Sequence, residues 1–196
     1  MRLAQIISDY IRRSILITQG DLVVRGASQP ERLASGALFT YLRGKGAGVI
    51  PAYEAEPTIP AMRATLSVSQ SIPTGAWTIV QFDGTDYDTT NYFDGVNNRW
   101  ICGVAGKYLI IVNIVLGAIP DGTLVGVAGQ LNGRTSSPFE YMTVGGLVSS
   151  SVQSTDVLAL SVNDFIKVLG FQNSGVNKSV LGRLAYGTWF TVHRLS

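Results

Sequence analysis

The chain holds a single histidine, His193, and a single cysteine, Cys102. Any Ser-His-Asp or Cys-His arrangement would have to be built around that one imidazole. His193 stands beside Arg194 in an apolar run that reads as a strand, where a surface or interface histidine fits better than a general base. Cys102 also falls in a strand-like run and reads as a small buried apolar residue. One cysteine permits no intrachain disulfide and makes no demand for an oxidising compartment. Zinc needs several Cys or His ligands, which the sequence does not supply. Gly126-Val127-Ala128-Gly129 lacks the Lys-Ser/Thr and the helix of a phosphate loop. No catalytic residue and no cofactor is expected.

Four carboxylates crowd one stretch: Asp83, Asp86, Asp88 and Asp94. Calcium takes several carboxylate and carbonyl oxygens, so these are the candidate metal ligands. Asp-Gly and Asp-Tyr pairs are also ordinary turn residues, and that reading is preferred. Paired carboxylates can hydrolyse glycosides when their separation is right. A glycan-acting enzyme is therefore the alternative of another class, with little else in the sequence to support it. Tyr87, Tyr92, Phe93 and Trp100 either form a sugar-stacking surface or pack a hairpin, and packing is preferred.

The elements that position these residues read as strands. Gly is abundant (22 copies), and Val and Ile dominate the apolar runs. Residues 61–196 contain strand-like runs at Thr65–Gln70, Trp77–Phe82, Trp100–Val104, Lys107–Leu116, Thr123–Leu131, Phe139–Val144, Val157–Val162, Phe165–Phe171, Leu181–Tyr186 and Thr188–Leu195. Turn pairs separate most of them: Asp83-Gly84, Asp94-Gly95, Asp121-Gly122, Asn132-Gly133, Asn163-Asp164 and Ser174-Gly175. Many short strands at this spacing predict a sandwich or barrel.

Lys107–Leu116 is apolar on both faces. Tyr108, Ile110, Val112 and Ile114 line one; Leu109, Ile111 and Val115 line the other, with Asn113 the only polar member. A half-exposed antiparallel strand alternates apolar and polar instead. One face can fill a core, and the other needs a helix or a neighbouring subunit to cover it. Tyr108, Ile110, Val112, Ile114, Trp189 and Phe190 are the expected core or subunit-interface residues. Only 14% of residues are charged, against about 25% in an ordinary soluble protein. The mean hydropathy is +0.24. No run approaches the roughly 20 apolar residues of a spanning helix, so membrane insertion is not expected. The net charge of +2 is scattered and gives no footprint for nucleic acid. Oligomer interfaces are the simplest place to hide the excess apolar surface.

Before the strands, residues 2–16 carry Leu3, Ile6, Ile7, Tyr10 and Ile11 on one stripe at helical spacing. Residues 1–16 are read as an N-terminal amphipathic helix and a particle anchor, trimerising or docking on a partner. Asp9, Arg12 and Arg13 interrupt its apolar residues, so it is not read as a signal peptide. Residues 17–60 read as an extended connector, with two short strand-like pieces at Asp21–Arg25 and Ala37–Leu42 and several Gly and Pro residues after them. Residues 61–196 form the remaining domain.

Several residues of that domain resemble the tumour-necrosis-factor-like jelly roll, in particular the complement subcomponent q head. They are Phe82-Asp83, Tyr92-Phe93-Asp94, the series Trp100, Cys102, Gly106 and Tyr108, Asn163-Asp164 with Ile166, and Thr188-Trp189-Phe190 through Leu195. The resemblance implies a jelly-roll β-sandwich of about ten strands that assembles as a homotrimer. Asn163 stands where that family has Gly, a change that a left-handed turn tolerates. A second resemblance lies in Thr18-Gln19-Gly20-Asp21-Leu22-Val23-Val24-Arg25 followed by Pro30-Glu31-Arg32-Leu33, which is similar to a segment of tailed-phage and prophage fibre-like proteins. Together they imply a non-enzymatic virion protein, a capsid decoration or head fibre, assembled in the host cytoplasm and shown on the virion surface. Its partners would be other copies of itself and other virion proteins of capsid or tail, with a host-surface glycan as candidate ligand. A receptor-binding short tail fibre or tail tip is the alternative.

Overall fold

A computed structural model describes residues 19–25, 30–135, 140–143, 148–182 and 187–196. The expected N-terminal helix, with Leu3, Ile6, Ile7, Tyr10 and Ile11, lies outside the described residues. The chain divides into two compact units, Met1–Pro57 and Thr58–Ser196.

The first unit is not simply an extended connector, because its described residues form two antiparallel hairpins. β1 (Leu22–Arg25) pairs with β2 (Pro30–Leu33), and β3 (Thr40–Arg43) pairs with β4 (Ala52–Ala55). Ionic contacts reach across both. Asp21 accepts a 2.8 Å bond from Arg32 Nε and a 2.9 Å bond from the Ser35 amide. Arg43 and Lys45 both reach Glu54. β2 and β4 carry Pro, Glu and Arg or Ala and Glu, which give no strand signal by composition, so the sequence shows only one side of each hairpin.

The second unit is all-β. Its strands are β5 (Ala61–Thr65), β6 (Gln70–Ile72), β7 (Thr78–Ile79), β8 (Gly84–Asp88), β9 (Phe93–Asp94), β10 (Arg99–Ile101), β11 (Gly106–Ile119), β12 (Leu124–Leu131), β13 (Arg134–Thr135), β14 (Glu140–Thr143), β15 (Val148–Leu160), β16 (Phe165–Gln172), β17 (Lys178–Val180) and β18 (Trp189–Arg194). They build two antiparallel sheets. In the first, β11 is central. β15 runs along one of its edges, from Gly106↔Leu160 to Ile119↔Val148, with a bulge after Leu116. β18 and then β17 take the other edge, continued by β5 and β8 beyond β18 and by β6 beyond β17. The second sheet runs β9, β10, β16, β12, with β13 and β14 on β12 and β7 also on β16. Successive segments change sheet, from β10 to β11, β11 to β12, β14 to β15, β15 to β16 and β16 to β17, as a jelly roll requires.

The facing sides of the sheets make the core. The first sheet supplies Met62, Tyr108, Ile110, Val112, Ile114 and Phe190; the second supplies Trp100, Val125, Val127, Ile166 and Val168. The expected turns close the strands where the backbone goes left-handed: Gly122 at φ 72°, Asn132 and Gly133 at 50° and 79°, Asn163 at 73° and Gly175 at 87°.

Three strand readings need correction. Thr65–Gln70 is not one strand: β5 ends at Thr65, and Val68 is 71% exposed. Its alternation belongs to a loop, because the Asp83 carboxylate accepts bonds from both the backbone and the hydroxyl of Ser67 and holds the chain out of the sheet. Asp83-Gly84 is accordingly a cap beside β5 rather than a hairpin turn. Leu181 and Gly182 are not in a strand, and β17 ends at Val180. Conversely, β15 begins far earlier than Val157, because pairing with β11 overrides a Ser-rich composition.

Candidate assembly face

The two-sided apolar strand, now β11, separates cleanly into two sets. Tyr108, Ile110, Val112 and Ile114 are buried in the core, as is Phe190. Leu109, Ile111, Asn113 and Val115 point the other way and are only part-covered, apart from Asn113. Cross-strand register extends this outward face. Leu109 lies between Val157 and His193, Ile111 between Thr155 and Thr191, and Asn113 between Gln153 and Trp189. Trp189 is therefore not a core residue like its neighbour Phe190. It sits on the outward face, with the Arg63 guanidinium 4.6 Å from its ring centroid. Arg63 in turn lies 3.3 Å from Asp86.

Several polar groups on this face already have partners inside the protein, although the buried Arg63 Nε makes no hydrogen bond and Gln153 and Thr155 are exposed. Asn113 donates to the Gly187 carbonyl at 3.2 Å and accepts from Ser151 at 2.6 Å. Thr191 donates to the Met62 carbonyl at 2.9 Å. His193 Nε2 and the Tyr87 hydroxyl are bonded at 2.9 Å, and Tyr87 lies 3.3 Å from the Thr191 hydroxyl. Covering Asn113, Thr191 and His193 therefore strands none of their bonded groups, which lowers the desolvation cost at those positions. Val157, 51% exposed, adds apolar surface at its edge. Such a face suits burial against another protein surface.

The expected chemistry residues are dispersed. His193 bonds to a tyrosine, not to a nucleophile. Cys102 is fully buried and donates its thiol to the Val104 carbonyl at 3.1 Å. Burial pushes that thiol above its ordinary range, which keeps it a thiol at neutral pH. The Tyr108 hydroxyl donates to the same carbonyl.

The candidate metal ligands Asp83, Asp86, Asp88 and Asp94 do not form a cation site. Among the described residues no three acidic, Cys or His groups come together to hold a metal. Each carboxylate serves its own neighbours instead. Asp83 caps Ser67, and Asp86 faces Arg63. Asp88 accepts from the amides of Thr90 and Phe93, and Asp94 accepts from Asn97 and Arg99. The four aromatics do not share a surface either. Trp100 is buried, packed 5.1 Å from Tyr108 and 6.2 Å, edge-on, from Tyr92. Phe93 packs against the core, while Tyr87 lies with His193 on the outward face. Sequence reading missed Arg63, Tyr87 and Val157 as members of that face. Only the register brings them beside Trp189, His193 and Leu109.

No family model matches the chain, and no curated protein does. Solved structures do. The globular domain of zebrafish complement 1qA protein is similar at 16% identity and a TM-score of 0.52, covering 70% of this chain and 98% of that one. Murine APRIL, crystallised at pH 5.0, is similar at 14% identity and a TM-score of 0.53, covering 70% of this chain and 99% of that one. At these identities the likeness is one of fold: the chain carries an all-β jelly-roll sandwich of the complement 1q and tumour-necrosis-factor-like kind.

Proposed function

We propose that the protein is a non-enzymatic structural protein of a tailed-phage particle, carried on the virion as a homotrimer. The observation that carries the trimer is the outward face of β11. Leu109, Ile111 and Val115 lie there with Val157 and Trp189, on a face where Asn113 and Thr191 are already hydrogen-bonded within the protein. Aromatic and Arg side chains dominate binding energy at protein interfaces, and Trp189 with Arg63 supplies such a pair. The jelly-roll fold supports the same reading. A virion setting is supported by the segment from Thr18 to Leu33. The Asp21–Arg32 ion pair, 2.8 Å long, gives the resembling residues a shared structural purpose, that of pinning the β1–β2 hairpin.

In this reading the N-terminal region attaches the protein to the capsid, and the jelly roll is displayed as a decoration or short head fibre. Removing residues 1–16 should leave a folded trimer that no longer binds particles lacking the protein. Particle binding undiminished by that deletion would remove the anchor role. Immunogold labelling of purified particles separates head from tail, and label on the tail tip would favour the receptor-binding fibre.

A further inference from the structure

The second unit contains a cleft of ≈720 Å³ that shares no residue with the outward face of β11. Small-molecule sites fall in the range of roughly 300–1,000 Å³. Its lining comes from three places: the loop after β5 together with β6, the segment around β7, and the β9–β10 turn. Leu66 and Phe82 are buried core residues that reach its floor, and exposed Val68 stands at its side. Polar groups line the rest, among them Ser71, Gln81, Asp83 and Asn98.

Each wall is braced from behind. Gln70 donates to the Ile79 carbonyl at 2.9 Å and accepts from the Gln81 amide at 2.8 Å, tying β6 to the segment after β7. Asp83 holds the loop after β5 with two 2.6 Å bonds from Ser67. Asp94 holds the β9–β10 turn that presents Asn98. By contrast, Ser71, Gln81 and Asn98 line the cleft with side chains that have no partner among the described residues. Burial raises the Asp83 carboxyl, but the Ser67 bonds outweigh it, and the group lies below its usual 3.8. It is ionised at neutral pH, with acceptor capacity left over.

We infer that this cleft binds a neutral saccharide. An apolar floor under a rim of amides, a hydroxyl and one carboxylate matches a ring with C–H faces and hydroxyl edges. Among the described residues no Lys or Arg lines the cleft to offset a phosphate, sulfate or uronate, and Asp83 repels each of them. One carboxylate among neutral groups also falls short of the several oxygen charges that a cation site gathers. The inference stands whether or not the chain is a trimer.

Ligand-observed saturation-transfer NMR on the full chain tests it. The probes are methyl glycosides and disaccharides of glucose, galactose, mannose and N-acetylglucosamine, with glucuronic and N-acetylneuraminic acids for contrast. At least one neutral sugar should receive saturation and the acids should not. Gln81→Ala combined with Asn98→Gly should weaken binding roughly tenfold, since each removes about one hydrogen bond to ligand. Neither side chain has a partner among the described residues, and Gly accepts the left-handed φ of 51° at position 98, so the thermal midpoint should stay put and separate lost binding from lost folding. Silence from every neutral sugar, transfer unchanged by the double variant, or equal binding of the acids would overturn the assignment.

Discussion

Asp94 holds the β9–β10 turn through bonds from the Asn97 side chain, the Asn97 amide and Arg99, and these bring its carboxyl down to about 2. A depressed folded value means that the carboxylate stabilises the fold above its unfolded value of 3.8. That contribution is lost as pH falls through about 2. Thermal midpoints measured from pH 5 down to pH 2 should therefore fall more steeply for the wild type than for Asp94→Asn; parallel curves would deny the turn this role. Asn132 works in the same local way. Its amide donates to Asp164 at 2.7 Å and its carbonyl accepts from the Phe165 amide at 2.9 Å, joining the β12–β13 turn to the start of β16. Bonds from Asn132, then from Ser161, hold the Asp164 carboxyl below its usual range. Asn132→Asp sets two carboxylates face to face and should cost about 1 kcal/mol at pH 7 after solvent screening. Because Asp164 is ionised above its unfolded value, the penalty should shrink as pH falls below 4. Urea titrations at pH 7 and pH 3 read both. At this scale the sequence was half legible. Asn132-Gly133 and Asp94-Gly95 announce turns by residue type, but only the fold shows which distant group each Asn or Asp ties down.

Strands legible in the sequence are those whose own residues carry the signal. β11, β12, β16 and β18 are rich in Val, Ile, Leu or aromatics and fall close to where their composition places them. β15 does not, because Val148–Asp156 is mostly Ser, Thr and Gln. Its strand character comes from β11, which pairs with it residue by residue. β2 and β4 were invisible for the same reason, each defined by its partner. The two sets on β11 should respond differently to substitution. Ile114 is fully buried, so Ile114→Ala should cost about 2–5 kcal/mol in chemical denaturation. A loss under 1 kcal/mol would mean that the core is packed otherwise. In the first unit, Arg32→Met leaves the buried Asp21 carboxylate without its 2.8 Å partner. Hydrogen exchange at residues 21–25 and 30–33 should rise about tenfold or more, as expected when a buried carboxylate loses its ionic partner. Exchange unchanged there would make the ion pair incidental.

For the whole molecule, low charge and a strand apolar on both faces point to a surface in need of cover, and the fold shows which side chains lie on the outward side of β11. Composition could not show the face itself. Leu109, Trp189, Arg63, Tyr87 and Val157 come from five strands and meet only through register. The measurement that tests the central claim most directly is the solution mass of residues 58–196 by light scattering, beside the same unit carrying Ile111→Lys. Ile111 points away from the core, so the variant should keep its circular dichroism while placing a charge in the middle of the assembly face. The account predicts a trimeric wild type and a monomeric, folded variant. A monomeric wild type, or a trimer indifferent to the lysine, would contradict it.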